Sequence, residues 1–157
     1  MFSARDISTV AAQIEQNGER FYRRVQRKVT DGALKDLLGW LADEEKRHAQ
    51  WFSSLSDTMP LAPQNSKIEE IGRALLQDSV SDQTFSLDES NLINADGLNR
   101  ICEYAIEFEK DTIIFYEMLR DFIEAEEALM QLESIINEEK QHVVQLANLI
   151  KAPVSKQ

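Results

Sequence analysis

Apolar residues recur at alternating steps of three and four along four long segments, the pattern of a helix that buries one stripe. The first segment, about residues 6–29, lines up Ser8, Ala11, Glu15, Gly18, Tyr22, Val25 and Val29. The second, about 32–57, lines up Leu34, Leu38, Leu41, Glu45, His48, Phe52 and Leu55. The third, about 94–122, carries Leu98, Cys102, Ala105, Glu109, Thr112, Tyr116 and Leu119, and the fourth, about 124–150, carries Ala128, Leu132, Ile135, Glu139, His142, Leu146 and Leu149. Pro60 and Pro63 end the second helix, and Ser66-Lys67-Ile68-Glu69 reads as a capping box opening a short helix over about 66–76. A helix of about 25 residues is about 37 Å long, so the connection over 58–93 can return along the full height of a bundle. The tight links near Thr30-Asp31-Gly32 and from Arg120 to Glu124 instead make antiparallel neighbours. The pattern predicts one all-α domain over residues 1–157, a four-helix bundle of two hairpins joined by a long crossover between the second and third helices.

The two hairpins repeat each other. Glu15 recurs as Glu109, Phe21-Tyr22 as Phe115-Tyr116, and Glu44-Glu45-x-x-His48 as Glu138-Glu139-x-x-His142, all at one offset of 94 residues. Each copy exposes an apolar face that the other can cover.

Six ionisable residues, Glu15, Glu45, His48, Glu109, Glu139 and His142, fall on lines otherwise filled by Leu, Ile, Ala, Tyr and Phe. Burying an unpaired carboxylate costs several kcal/mol or more, so four of them converging in one core must be protonated, paired or bound to metal. Glu-x-x-His places both side chains on adjacent turns of one face, within reach of one ion. Two such pairs, with one Glu from each remaining helix, form the arrangement of bundles that hold two iron or manganese ions. Four carboxylates also balance the charge of two divalent cations. His48 and His142 are the only histidines, so none compete. Tyr22 and Tyr116, two turns beyond Glu15 and Glu109, are read as packing residues with a hydrogen-bonded hydroxyl, or as partners of a ligand carboxylate with access to oxidising equivalents. Glu44, Glu107 and Glu138 read as surface acids, and so does Glu19, whose alternative is a mobile extra ligand. Trp40 and Trp51 read as core or interface residues, and Cys102 as a small buried hydrophobe.

Composition narrows the field further. The chain is 43% hydrophobic, and five Gly with three Pro leave little material for a turn-rich fold. One Cys cannot form an internal disulfide or a zinc or iron-sulfur site held by the chain's own thiolates, which favours a reducing, cytoplasmic setting. No apolar run reaches the length of a membrane span, and residues 1–6 lack the core of a signal peptide. A net charge of −11 repels nucleic acid and anionic lipid, and the cluster Arg20, Arg23, Arg24, Arg27 and Lys28 reads as a solvated helix face. There is no Gly-rich phosphate loop, His-Glu-x-x-His helix or nucleophile elbow.

The Glu15 to Phe21-Tyr22 segment, Glu45-x-x-His48, the Glu109 to Phe115-Tyr116 segment and Glu139-x-x-His142 together resemble the ferritin-like superfamily. The specific likeness is to the rubrerythrin-like branch of small bacterial and archaeal diiron proteins, over about residues 6–150. It implies a left-handed bundle with a long crossover and two iron ions, manganese or zinc being possible substitutes. Glu15 and Glu109 would be the single carboxylates of the first and third helices, and the two Glu-x-x-His pairs the ligands of the second and fourth. It also implies homodimers, for which Phe21, Val25, Ile106 and Ile113 look like spare apolar residues. Rubrerythrins proper resemble such a bundle fused to a four-cysteine iron domain, whereas this sequence ends at Gln157 with one Cys, so a separate electron donor such as a rubredoxin-like protein or a reductase is expected. It also lacks the membrane region of related iron transporters. The expected activity is that of a non-haem diiron oxidoreductase reducing hydrogen peroxide or oxygen with electrons from Fe(II). The alternatives are a ferroxidase that oxidises Fe(II) for storage and a metal-stabilised bundle acting as an interaction module.

Overall fold

The computed structural model describes residues 4–55, 70, 72–74, 95–121 and 123–150. Four long helices account for almost all of them: α1 (Ala4–Lys28), α2 (Gly32–Leu55), α3 (Ala95–Arg120) and α4 (Glu126–Leu149). The all-α architecture expected from the hydrophobic pattern is the one observed. α1 packs chiefly on α2 and α3 on α4, as two antiparallel hairpins.

Local chemistry sets the turns. The Asp31 carboxylate accepts the backbone N–H of Leu34 at 2.8 Å and so caps α2, while the Asp31 carbonyl accepts from Lys35. α4 starts two residues later than its pattern suggests, because Ala125 is extended, with ψ 123°, and the helix opens on Glu126 and Glu127. Those acids oppose the positive end of the helix dipole. Of the short helix expected over 66–76, residues 70 and 72–74 are helical, and the rest lie outside the described residues. Gly72 is buried there, where an added Cβ would stand 3.3 Å from Val10 and 3.2 Å from Phe115. This part of the crossover therefore lies against α1 and α3.

The core is divided. One apolar cluster is built from Ile14 and the residues before it in α1, Phe52 and Leu55 in α2, Phe108 to Leu119 in α3, and Ala128 to Ile136 in α4. The other contains Phe21 to Val29 of α1, Leu38, Leu41 and Ala42 of α2, Ile101 and Ala105 of α3, and Leu146 of α4. Glu15, Glu45, Glu109 and Glu139, with both histidines, occupy the level between them. Each fully buried Leu or Phe contributes about 1.5–3 kcal/mol, so the apolar ends carry the stability that the polar middle costs.

Two expectations need correction. Phe21, Val25 and Ile113, proposed as spare residues for pairing two copies, are buried within this chain at 2%, 1% and 7% exposure, and Ile106 is half-buried. Each hairpin uses them to cover the other. Trp40 is 43% exposed, so of the two places expected for it, core or interface, it is not in the core.

Candidate metal centre

The helical lines converge as the spacing demands, and all six predicted ligands are buried at 0–1% exposure. They form two overlapping donor sets. Glu15, Glu45, His48 and Glu139 make one, and Glu45, Glu109, Glu139 and His142 the other, with the donor atoms of each set lying within 4.8 Å of one another. Glu45 and Glu139 are common to both.

Each histidine turns Nδ1 towards the carboxylates. His48 Nδ1 lies 3.4 Å from Glu15 Oε1, 3.8 Å from Glu139 Oε1 and 3.9 Å from Glu45 Oε1. His142 Nδ1 lies 2.9 Å from Glu139 Oε1 and 3.3 Å from both Glu45 Oε1 and Glu109 Oε2. The rings stack with centroids 6.1 Å apart. Several of the inward atoms have no hydrogen-bond partner: Oε1 of Glu15, Glu45 and Glu109, both oxygens of Glu139, and His48 Nδ1. Buried polar atoms are rarely left unpaired, and here they point at each other, as a donor set for cations does.

Without a cation the cluster holds protons. Burial pushes the Glu45 and Glu139 carboxyls well above the usual carboxylate range, and the neighbouring Glu109 and Glu15 charges push them further. Burial works against the charged form of His48 too, but Glu15 and Glu139 outweigh it and raise the imidazole to about 10. His142 moves in the same direction, burial being overcome by Glu109, Glu139 and Glu45. Glu15 is held below its ordinary value, since the charge of His48 beside it and the hydrogen bond from Tyr116 outweigh its burial. Two divalent ions would displace these protons one charge for another.

The tyrosines serve carboxylates of the opposite hairpin. Tyr22 donates to Glu109 Oε2 and Tyr116 to Glu15 Oε2, each at 2.7 Å. A long side chain on a helix points back towards the N-terminus, which brings each phenol to the level of its own helix's Glu, where it meets the acid facing it across the bundle. Burial and the nearby carboxylates raise both phenols well above their ordinary value, so they remain donors. Each occupies Oε2 and leaves Oε1 of the same carboxylate unpaired.

Glu19 joins neither donor set, because Arg23 holds its carboxylate at 2.9 Å and also reaches Asp43 at 2.9 Å. Cys102 is buried, which pushes its thiol up to about 11. Trp51 packs its ring on Phe52, with centroids 4.9 Å apart.

Three features escaped the sequence reading. Glu138, read as a surface acid, does pair with Arg47, but it also lies 2.8 Å from His48 Nε2. Its recurrence as Glu44 at the 94-residue offset was the available signal. Gly18 lets α1 pass the shared carboxylate, since an added Cβ would stand 2.6 Å from Glu45 Oε2. Trp40 sets its ring edge-on to His142, with centroids 5.5 Å apart.

Comparisons with known proteins agree with this geometry. The family model for rubrerythrin matches residues 6–150. The crystal structure of a ferritin-like diiron-carboxylate protein from Thermotoga maritima is similar with a TM-score of 0.66, at 29% sequence identity and 94% coverage of each chain. No curated protein matches the chain. No helix among the described residues is long and apolar enough to cross a membrane.

Proposed function

Since the chain belongs to the rubrerythrin family, we propose that it is a non-haem diiron oxidoreductase that reduces hydrogen peroxide, or oxygen, with electrons from ferrous iron. The observation that carries this reading is the pair of buried donor sets sharing Glu45 and Glu139, with unpartnered oxygen and nitrogen atoms turned inward. Carboxylate and imidazole donors suit iron, with manganese and zinc as substitutes. A pair of ferrous ions there would supply two electrons together to one O–O bond.

The chain's own residues prepare that chemistry. Glu45 and Glu139 hold the two positions together, while Glu15 with His48 and Glu109 with His142 complete one each. Tyr22 and Tyr116 keep hydroxyl protons at Glu109 Oε2 and Glu15 Oε2, which fixes the orientation of both carboxylates. The apolar clusters on either side exclude bulk water, which strengthens every charge interaction inside. Cys102, buried and with a raised thiol, offers no redox centre. We take the electrons to come from a separate donor such as a rubredoxin-like protein or a reductase.

Anaerobic Fe(II) titration of the metal-free protein, followed by one aliquot of peroxide or of oxygen, tests this. Two Fe(II) per chain, oxidised faster by peroxide than by oxygen, is the expected result. Faster oxidation by oxygen with release of Fe(III) would make it a ferroxidase. Binding of zinc with gained stability and no oxygen chemistry would make it a metal-stabilised interaction module.

A further inference from the structure

The buried donors need a way in for ions, and among the described residues a polar group with access to solvent stands beside them. Above and below are apolar clusters, where a hydrated cation would find no partner. At the side stand Glu44 and Glu138, which with His48 form a third group of ligating atoms within 4.8 Å of one another. Each imidazole separates this outer pair from the inner donors. His48 turns Nδ1 inward and presents Nε2 to Glu138 Oε1 at 2.8 Å. His142 likewise turns Nδ1 inward, and its Nε2, fully buried and without a hydrogen-bond partner, faces Glu44 Oε1 at 3.8 Å. The outer acids reach solvent, with side-chain exposures of 17% for Glu44 and 32% for Glu138.

A cation already sits between them. Arg47 donates to Glu44 Oε2 at 3.0 Å and to Glu138 Oε1 at 2.8 Å, with its side chain 53% exposed. An arginine so exposed is held weakly and can swing into water. Its counterpart in the repeat, at the 94-residue offset, is Gln141, so only one of the two hairpins supplies this charge. Arg47 leaves the two carboxylates one negative charge in excess, which a divalent ion taking its place would neutralise. The two carboxylate oxygens suit the same ions as the inner sets, and an imidazole whose Nδ1 does not yet hold an inner ion can add its Nε2 once the proton there is lost.

We propose that Glu44, Glu138 and the outward Nε2 atoms of His48 and His142 form an uptake site for divalent cations, through which ions reach the buried donors, with Arg47 as the resident cation they displace. This rests on the metal-binding reading above and adds its route. Focused negative charge raises the local cation concentration and the association rate, by ~10-fold or more, so the site acts on the rate of loading and leaves the final occupancy to the inner ligands.

The test is stopped-flow uptake of Zn(II), the metal alone, by metal-free wild-type protein, the E44Q/E138Q double variant and R47Q, with the bound ions counted at equilibrium. Glutamine keeps an oxygen that can accept the His48 N–H and removes only the charge. The expected result is roughly tenfold slower uptake by E44Q/E138Q, still ending at two ions per chain. R47Q should load faster than wild type and take up a third, weaker ion at high Zn(II). Equal uptake rates in all three proteins would overturn the proposal. So would a double variant that loads at the wild-type rate but ends with fewer ions, since Glu44 and Glu138 would then serve only to position the histidines. A wild-type protein that never binds two ions would overturn the metal-binding reading itself, a failure distinct from the other two.

Discussion

Replacing Gly18 with Ala separates the stability of the bundle from its capacity for metal. Gly18 is buried in the middle of α1, and a Cβ added there would stand 2.6 Å from Glu45 Oε2, against 3.4 Å for ordinary contact. The clash is with the end of a flexible side chain, so the metal-free protein can relieve it by moving the carboxylate about 0.8 Å. Removing a glycine from a helix interior favours folding by about 0.8–1 kcal/mol. The metal-free variant should therefore melt at the wild-type temperature or up to about 4 °C above it. Metal–ligand distances tolerate only about 0.2 Å, and Glu45 belongs to both donor sets, so the same displacement spoils both positions. An affinity loss of about 100-fold is expected. Each of the two ions, present at about 100 times its Kd, stabilises the native state by about 2.7 kcal/mol, and after such a loss by about 0.4 kcal/mol. The metal-induced rise in Tm should then shrink by about 9–18 °C. Differential scanning calorimetry with and without Mn(II) measures both numbers. An undiminished metal-induced rise in the variant would refute the placement of Glu45 between the two ions.

Alanine at Glu45 or Glu139 should abolish binding of both ions, while alanine at His48 or His142 should leave one, as counted by metal analysis of the dialysed protein. Tyr116→Phe should weaken the ion held with His48, and Tyr22→Phe the ion held with His142, because each phenol serves the opposite hairpin; the hydrogen bond to a charged group is worth about 1.5–3 kcal/mol. Metal-free protein should lose stability as pH rises. His48 is raised in the folded state to about 10, so its contribution is complete below the unfolded value near 6.5 and is lost as pH climbs through about 10, and the raised Glu45 and Glu139 carboxyls act with the same sign. Ions replace those protons, so the metal-induced rise in Tm should grow over the same range, and thermal melts at about pH 6 and about pH 9 compare the two. Leu132→Ala, at a position with no exposure, should cost about 2–5 kcal/mol by denaturant titration.

Much of this was written in the periodicity. A polar residue on an apolar line is visible in one dimension, and Glu15, Glu45, His48, Glu109, Glu139 and His142 lie together because helical lines that share a core must meet. Partners across the bundle were less legible. Tyr22 and Tyr116 read only as partners of some ligand carboxylate, because sequence spacing reports neighbours on one helix and does not reveal which side chain faces them from another. Glu138 was read as a surface acid for the same reason: being half-buried, it belongs to both the surface and the site. Gly18 gave no positive signal, since its role is the space it leaves. The start of α4 depended on the backbone of Ala125, which no pattern of hydrophobicity encodes.

The crossed contacts have a consequence for how such a molecule could come apart. Exchange the two halves through the 94-residue offset and Tyr22 on Glu109 becomes Tyr116 on Glu15, Glu138 beside His48 becomes Glu44 beside His142, and each donor set becomes the other. The interface between the hairpins is thus self-complementary, of the kind two identical subunits make about a twofold axis. Neither hairpin alone contains a complete donor set, yet one hairpin paired with a copy of itself would contain two. Severing the crossover should therefore leave two fragments that reunite through their apolar faces and that metal binds together more tightly, and a lone hairpin already contains every residue type needed for a symmetric ancestor of the whole.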